Sequence, residues 1–329
     1  MVMAHRALRD NVFRKTVSTS DAITLFDAGA GQSQGSRKYQ EDRCALITPS
    51  QFPSNLDTKD NIAFLAIYDG HGSGLVSDHL KDSLHNLLAQ RPEFEKDDWA
   101  TAIKEALAQE DRILLERFKN ESVEPAISGS TVAMCCINLT HGELVVSNLG
   151  DSHVILAERD PKTEHPYHVR RLTKAHKPEI PSEKARIEEA GGMVVKRRGT
   201  HRLGSLNMSR ALGDLQYKNP VNTYTDDPIL DPAKSATSRT SESRGDFISN
   251  DPYTSRRTLK PDRRYVLVVA SDGVTDRVDD TNLMQHVMKL SMRGKPASEI
   301  AQVIATDTAS RPHGDNASCI VAMLDGQVS

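Results

Sequence analysis

The chain lacks the long apolar segments that place a protein in or across a membrane. No run approaches the length of about 20 residues that a transmembrane helix needs, and none has the apolar core of a secretory signal peptide. The 329 residues carry a formal net charge of −3, which gives no reason to expect nucleic acid as the main partner. We therefore expect an intracellular protein of the cytoplasm or the nucleus, without a transmembrane segment.

Cysteine is also scarce. The chain has four cysteines, and none of them forms a C-x-x-C pair, so a structural zinc site is not expected. Cys135 and Cys136 are adjacent in an apolar run, so a strand would point their side chains to opposite sides. Together with Cys44 and Cys319, we expect them to be free thiols in a reducing compartment.

The first 20 residues differ in composition from the rest, with four Arg or Lys residues against one acid, Asp10. That composition is typical of a mitochondrial presequence, and a flexible basic leader is the alternative. We expect residues 1–22 to be this leader and residues 23–326 to form a single domain, which is long enough to bury a sizeable core.

The order of apolar patterns indicates the fold class. Short apolar runs bounded by turn residues predict strands at 43–47, 62–68, 132–139, 144–148, 153–157, 169–172, 265–270 and 319–324. Helical periodicity predicts helices at 74–89, from after Asp97 as N-cap to 119, and at 182–190, 281–291 and 297–310. Because strands come as neighbours and helices as pairs, the pattern favours layered α+β architecture over a doubly wound parallel sheet.

One segment, at about 215–264, is rich in Asp, Pro, Ser, Thr and Arg and has few apolar positions. A loop of this length inside a compact domain is usually either functional or disordered, and both readings stay open.

Carboxylates recur at the ends of the predicted strands. Asp69, Asp151 and Asp272 each follow an apolar run, and Asp315 opens the last one. Carboxylates that converge on one rim of a sheet would repel one another and raise each other's pKa, and a divalent cation removes that penalty. With Glu41, Asp42 and Asp276 they form an all-oxygen set that suits Mg²⁺ or Mn²⁺. The alternative is that Asp-Gly and Gly-Asp are ordinary turn pairs.

Two further side chains suit phosphate chemistry. Arg37 lies four residues before Glu41, and a guanidinium can hold a phosphate with two hydrogen bonds. His71 follows Asp69 and Gly70 directly, so near a metal-bound phosphate ester it could protonate the leaving oxygen. Taken alone, an arginine such as Arg37 is more often a surface charge, and a histidine such as His71 is more often part of a turn.

Eight short motifs stand in order along the chain: Arg37-x-x-x-Glu41-Asp42, Asp69-Gly70-His71-Gly72, Ser128-Gly129-Ser130-Thr131, Asn148-Leu149-Gly150-Asp151-Ser152, His176-Lys177-Pro178, Leu206-x-x-Ser209-Arg210-Ala211-Leu212-Gly213-Asp214, Ser271-Asp272-Gly273-Val274-Thr275-Asp276 and Asp315-Asn316-Ala317-Ser318. Together, from about residue 31 to 324, they resemble the motifs of the PPM/PP2C metal-dependent protein serine/threonine phosphatases. Each motif alone is short, and the ordered set is specific.

The resemblance implies an αββα sandwich of two antiparallel sheets flanked by helix pairs, with two Mn²⁺ or Mg²⁺ ions at one end. If the roles of the matching family positions apply here, Asp69 would bridge both ions. Glu41 and the carbonyl of Gly70 would complete one site, and Asp272 and Asp315 would hold the other.

The matching family positions also imply that four residues would bind a third, weaker ion or the surrounding waters: Asp42, Asp151, Asp276 and Asn316. The chain departs from the family pattern at Thr275, where Trp is usual, at Ala175, where Asp is usual, and in the longer region after Asp214. These departures leave the ligand set intact and concern the substrate groove, hence specificity.

The implied reaction is single-step hydrolysis of phosphoserine and phosphothreonine esters, in which an activated water attacks without a covalent enzyme intermediate. Arg37 would hold the phosphoryl group and His71 would act as general acid. Phosphorylated proteins are the expected partners, and a monomer is expected. Two alternatives stay open: a binding protein on the same scaffold, and a hydrolase of small phosphate esters.

Overall fold

Two stacked antiparallel sheets form the centre of the molecule. A computed structural model describes residues 21–53, 60–162, 167–223 and 245–326. Residues 1–20 of the predicted leader and residues 224–244 of the predicted insert lie outside the described residues. The strands are β1 Ile23–Ser33, β2 Arg43–Ile47, β3 Ile62–Tyr68, β4 Gly70–His71, β5 Gly129–Ser130, β6 Val132–Asn138, β7 Glu143–Leu149, β8 His153–Arg159, β9 His168–Arg171, β10 Val194–Arg197, β11 Thr200–Leu203, β12 Leu212–Gly213, β13 Tyr253–Thr258, β14 Arg264–Ala270 and β15 Ala317–Gly326.

The strands pair into two five-stranded sheets in the orders β1-β15-β14-β8-β9 and β13-β7-β6-β3-β2, with antiparallel pairing throughout. A three-stranded sheet β12-β5-β4 and the hairpin β10-β11 complete the described strands. The helices are α1 Leu75–Ala89, α2 Pro92–Glu95, α3 Trp99–Asn120, α4 Glu124–Ile127, α5 Pro181–Glu189, α6 Asp272–Thr275, α7 Asp280–Met292 and α8 Ala297–Ala309.

Strand β3 shows why the layers stack. Its sequence is apolar throughout, and alternate residues face opposite sides. Leu65 and Ile67 lie in the core between the two sheets, whereas Phe64 and Tyr68 pack under helices α1 and α3. Fully burying an aliphatic side chain stabilises a fold by about 1.5–3 kcal/mol. A strand that is apolar on both faces therefore packs favourably against the other sheet on one side and against the helices on the other.

A third core layer lies on the far side of the other sheet. There Val266 and Val268 of β14 pack against Met284 and Val287 of α7 and Ile304 of α8. With helices outside both sheets, the predicted αββα sandwich is confirmed. Cys135 and Cys136 lie in different layers, as their adjacency predicts, and all four cysteines are free thiols within the described residues.

Helix α3 corrects one sequence prediction. The N-cap is Asp98 and not Asp97, because the Asp98 side chain accepts a hydrogen bond from the Thr101 N–H while Asp97 adopts a positive φ of 64°. Within the described residues, no helix is both long enough and apolar enough to span a bilayer.

Strand β1 was not predicted, because Gly29 and Gly31 interrupt its apolar pattern. A Cβ atom at either position would collide with the backbone of helix α8, near Ser298 and Gln302 respectively. The glycines therefore allow the helix to lie directly on the strand, a close approach that glycine in a strand can signal.

Candidate active site

The predicted acidic residues lie at one rim of the sandwich. Arg43, at the start of β2, pairs with Tyr68 at the end of β3, so the acids that precede β2 lie beside the one that follows β3. On the other sheet, Ala270 at the end of β14 pairs with Cys319 near the start of β15. Strand β7 ends at this rim as well. The antiparallel register thus brings together acids from chain positions that are far apart: Glu41, Asp42, Asp69, Asp151, Asp272 and Asp315.

Burial, and next the neighbouring carboxylates, raise the pKa values of three of these groups. Burial, followed by the carboxylates of Asp42 and Asp272, raises the pKa of Asp69 well above its usual value. Burial, with Asp151 next in effect, raises the pKa of Asp272 to about 8. Burial also raises the pKa of Asp42 to about 6. Asp69 and Asp272 are not fully buried and keep some contact with solvent.

Neighbouring donors offset part of this repulsion. The Arg37 guanidinium contacts a carboxylate oxygen of Asp315 at 2.5 Å. The Lys177 ammonium forms an ion pair with Asp151. The Ser271 hydroxyl donates to Asp42 at 2.9 Å.

The donor set fits a hard divalent cation. Among the described residues, no three acidic, histidine or cysteine side chains are arranged so that they could hold a metal ion directly. However, Oδ1 of Asp42 and Oδ1 of Asp151 are both buried and have no hydrogen-bond partner among the described residues. Buried, unpartnered carboxylate oxygens beside Asp69 and Asp272, with raised pKa values, are what Mg²⁺ or Mn²⁺ would satisfy.

Asn316 fixes the loop that carries Arg37 and Glu41. Its side-chain oxygen accepts from the Glu41 N–H at 2.8 Å, and its amide donates to the carbonyls of Gln34 and Tyr39 at 2.9 Å each. The segment before β2 is therefore tied to the segment that carries Asp315.

Two other predicted residues also lie at this rim. Gly70 is buried against the Glu41 carbonyl and the Ser77 hydroxyl, which a Cβ atom would strike. Asp276 is exposed at the end of α6 and is among the groups that raise the pKa of Asp272.

His71 lies at the edge of this cluster and has a partner that sequence reasoning missed. Its Nε2 lies 2.7 Å from Oδ2 of Asp214, a carboxylate with 1% exposure that is 143 positions away in the chain. Burial opposes protonation of the ring, but the carboxylates of Asp214, Asp151 and Glu41 together outweigh it, so the pKa of His71 is raised. The signal was present, since Asp214 ends the Leu206–Asp214 motif, but the motif carried no role for it.

A second missed residue, His176, supports the turn that carries Asp151. Burial lowers the pKa of His176 to about 4, so its ring is neutral near pH 7 and can accept a hydrogen bond. Nδ1 accepts from the Gly150 N–H at 3.1 Å, and the His176 N–H donates to the Gly150 carbonyl at 2.9 Å. These two bonds hold Gly150 at a φ of 89°, and so set the direction of the next residue.

Comparisons with known proteins find matches to both the sequence and the fold of this chain. The family model described as Protein phosphatase 2C matches residues 26–317. Protein spalten of Dictyostelium discoideum is 30% identical over 307 residues, which cover 91% of this chain and 28% of that protein. Protein phosphatase 2C homolog 3 of Schizosaccharomyces pombe is 28% identical over 318 residues, which cover 94% of this chain and 67% of that protein.

Among solved structures, the serine-threonine phosphatase 2C of Toxoplasma gondii superimposes with a TM-score of 0.70 at 21% identity, covering 91% of this chain and 95% of that one. A Caenorhabditis elegans sex determining protein superimposes with a TM-score of 0.67 at 25% identity, covering 90% of this chain and 64% of that one. These likenesses show a shared fold.

Proposed function

The chain belongs to the protein phosphatase 2C family of serine/threonine phosphatases, and from this we propose that it hydrolyses phosphoserine and phosphothreonine esters of proteins with the help of divalent cations. The observation that carries the proposal is the crowding of carboxyl groups at one rim, where burial and mutual repulsion raise the pKa values of Asp69 and Asp272. A fold keeps such a costly arrangement where it serves a function.

The residues that would hold Mn²⁺ or Mg²⁺ are Glu41, Asp69, the carbonyl of Gly70, Asp272 and Asp315. We expect two ions in this set. Asp42, Asp151, Asp276 and Asn316 would bind a third, weaker ion or orient the waters around the site. When bound, such ions supply an activated water as the nucleophile.

Arg37 would bind the phosphoryl group. Its side chain is 58% exposed and its guanidinium contacts Asp315, so it lies over the same rim as the proposed ligands and remains accessible to a substrate. A guanidinium offers a planar pair of donors to phosphoryl oxygens and offsets the negative charge that they carry in the transition state.

His71 would donate the proton that the leaving serine or threonine oxygen needs. The contact between Nε2 and Asp214 commits the Nε2 proton to that carboxylate. Nδ1 is buried and has no hydrogen-bond partner among the described residues, so its proton is the one that no neighbouring group of the described residues holds. Because Asp214 raises the pKa of His71, the doubly protonated ring that this step needs is favoured.

Titration of Mn²⁺ against hydrolysis of a phosphoserine peptide tests the proposal. We expect metal-dependent turnover of the peptide, and we expect it to exceed turnover of small phosphate metabolites. Faster turnover of the metabolites would instead indicate a hydrolase of small phosphate esters. Asp69→Asn should abolish turnover while circular dichroism shows an intact fold. Absence of turnover in the wild type, with Mn²⁺ bound, would favour a binding protein on the same scaffold.

The expected partners are phosphorylated proteins. The monomeric state and the compartment, cytoplasm, nucleus or mitochondrion, remain predictions from the sequence. Gel filtration of the full chain and localisation of a C-terminally tagged chain would test them.

A further inference from the structure

The small sheet β12-β5-β4 brings two distant parts of the chain to either side of Gly129. His71 of β4 and Gly213 of β12 both pair with Gly129 of β5. Asp214 follows β12 directly, so its side chain reaches across the middle strand to the His71 ring. A Cβ atom on Gly129 would collide with both the Asp214 carboxylate and Nε2 of His71. The contact therefore depends on a glycine at this position.

Asp214 is held rigidly in this position. Its backbone adopts a left-handed conformation with φ 50°, and its N–H donates to the Ser128 carbonyl at 2.7 Å. The residue is 1% exposed, and its second carboxylate oxygen, Oδ1, is buried with no partner among the described residues. The described contacts of the carboxylate are thus directed at His71.

A second buried carboxylate, Asp111 of helix α3, fixes the backbone just before Asp214. Oδ1 of Asp111 accepts from the Gly213 N–H at 2.9 Å. Oδ2 accepts from the Lys218 ammonium at 2.5 Å and from the Asn250 amide at 2.8 Å. Lys218 also donates to the Ala211 carbonyl at 2.8 Å. One carboxylate on a long helix therefore anchors the chain on both sides of Asp214.

We propose that Asp214 is a positioning residue for His71, and that Asp111 positions Asp214 in turn. The carboxylate accepts the Nε2–H of His71, which fixes the rotation of the ring. Nδ1, which is buried and has no hydrogen-bond partner among the described residues, is then the nitrogen whose proton is uncommitted. This inference rests on the proposed function, because it assigns a role only if His71 donates a proton to a phosphate ester.

The first test compares two leaving groups in Asp214→Asn. Asparagine tolerates a left-handed backbone, but its amide can present a donor to Nε2 and so release the ring orientation. An alkoxide such as that of serine needs a proton to leave, whereas nitrophenolate leaves unprotonated. We expect kcat on a phosphoserine peptide to fall by about 100-fold and kcat on p-nitrophenyl phosphate to change by less than about 3-fold. Equal loss on both substrates would overturn the proposal.

Asp111→Asn tests the second step against a matched control. Glu110→Gln alters the adjacent buried carboxylate of α3, which contacts His79 and Ser83 instead. Asp111→Asn should lower peptide turnover by about 10-fold and spare p-nitrophenyl phosphate, and Glu110→Gln should lower neither. If both variants lose peptide turnover alike, helix stability explains the loss and Asp111 has no positioning role.

Two further measurements keep the inference separable from the proposed function. In a His71→Gln background, Asp214→Asn should cause no additional loss of peptide turnover; a further 10-fold loss would show that Asp214 acts elsewhere.

In the metal-free wild type, nitrogen-15 spectra of the His71 side chain should show a hydrogen-bonded Nε2–H. Asp214→Asn and Gly129→Ala should remove this signal, and Gly245→Ala should retain it. If that signal is present but the enzyme shows no peptide turnover, the proposed function fails while the His71–Asp214 contact stands. If it is absent, the positioning role fails.

Discussion

The two ends of the sandwich treat acidic residues in opposite ways. Strand β7 runs from Glu143 at one rim to Leu149 at the other. At the Glu143 rim, Arg256 contacts both Glu143 and Asp97 at 2.5 Å. At the Leu149 rim, burial and then the neighbouring carboxyls raise the pKa values of Asp69 and Asp272. One end neutralises its acids locally, and the other end concentrates them.

The difference shows where the fold gives up stability. Matched surface charges cost little and contribute little, whereas several carboxylates around one buried position repel one another even after Arg37 and Lys177 are counted. Sequences that specify one structure break their local rules at functional sites. The acidic rim is such a place, and the three changes below would break or sharpen the contrast.

The largest effect is expected from Asp272→Asn at the acidic rim. Loss of a proposed metal ligand should lower Mn²⁺-dependent phosphopeptide turnover by about 1,000-fold or more. The same change removes a carboxyl group that has to stay protonated in the folded state near neutral pH, so the metal-free variant should melt about 2–4 °C above the metal-free wild type. Calorimetry in a chelator and steady-state kinetics in Mn²⁺ measure the two effects.

Glu143→Gln at the other rim is the matched control for this change. Its carboxylate is paired with Arg256, so its loss should leave turnover unchanged and should not raise the melting temperature. A fall in the melting temperature of metal-free Asp272→Asn would contradict the view that the carboxyl group of Asp272 destabilises the metal-free fold.

The next effect is a pH dependence confined to the acidic rim. The pKa of Asp272 is raised from 3.8 to about 8 by burial and then by Asp151, so between these pH values the folded state holds a proton that the unfolded chain releases. Stability from this group is therefore present at low pH and is lost as pH rises from about 4 to about 8.

Urea unfolding of the metal-free protein at pH 5 and pH 8 measures this effect as a difference between variants. Wild type should lose more stability over that interval than Asp272→Asn, and saturating Mn²⁺ should reduce the loss. Equal pH slopes for the two proteins would show that Asp272 is not strained in the folded state.

The strands and helices with strong apolar periodicity were predictable from the sequence. Strand β3 is apolar at every position, so the sequence predicted it as a buried strand. Strand β13 was missed because an edge strand needs no apolar face: its sequence Tyr253–Thr258 is polar and carries two arginines. It lies within the segment predicted as an insert, so part of that segment belongs to the sheet.

The meeting of the acids at one rim was also predictable in outline, because residues that follow or open buried antiparallel strands share an edge. The metal-binding roles of these acids stay predictions. The contact between His71 and Asp214 could not be predicted from spacing, because it depends on two-residue strands on either side of Gly129. Strands that short leave no periodic signal in a sequence.

The smallest effect is expected from Arg256→Gln at the neutralised rim. The Arg256 side chain is 44% exposed, and exposed ion pairs contribute about 0–1 kcal/mol. The free energy of unfolding should therefore fall by less than about 1 kcal/mol, and turnover should be unchanged because the residue lies at the opposite end of β7 from the proposed site. Urea unfolding and peptide kinetics measure the two quantities.

A double variant sharpens this result. In Arg256→Gln with Glu143→Gln, the carboxylate left without its partner is removed as well, so part of the lost stability should return. The effect on stability of removing an ionisable side chain then differs between the two ends of the sandwich. Stability is expected to fall at the rim where acids are paired and to rise at the rim where they are crowded. Stabilisation by Arg256→Gln alone would mean that the Glu143 rim is also strained, and the distinction between the two ends would fail.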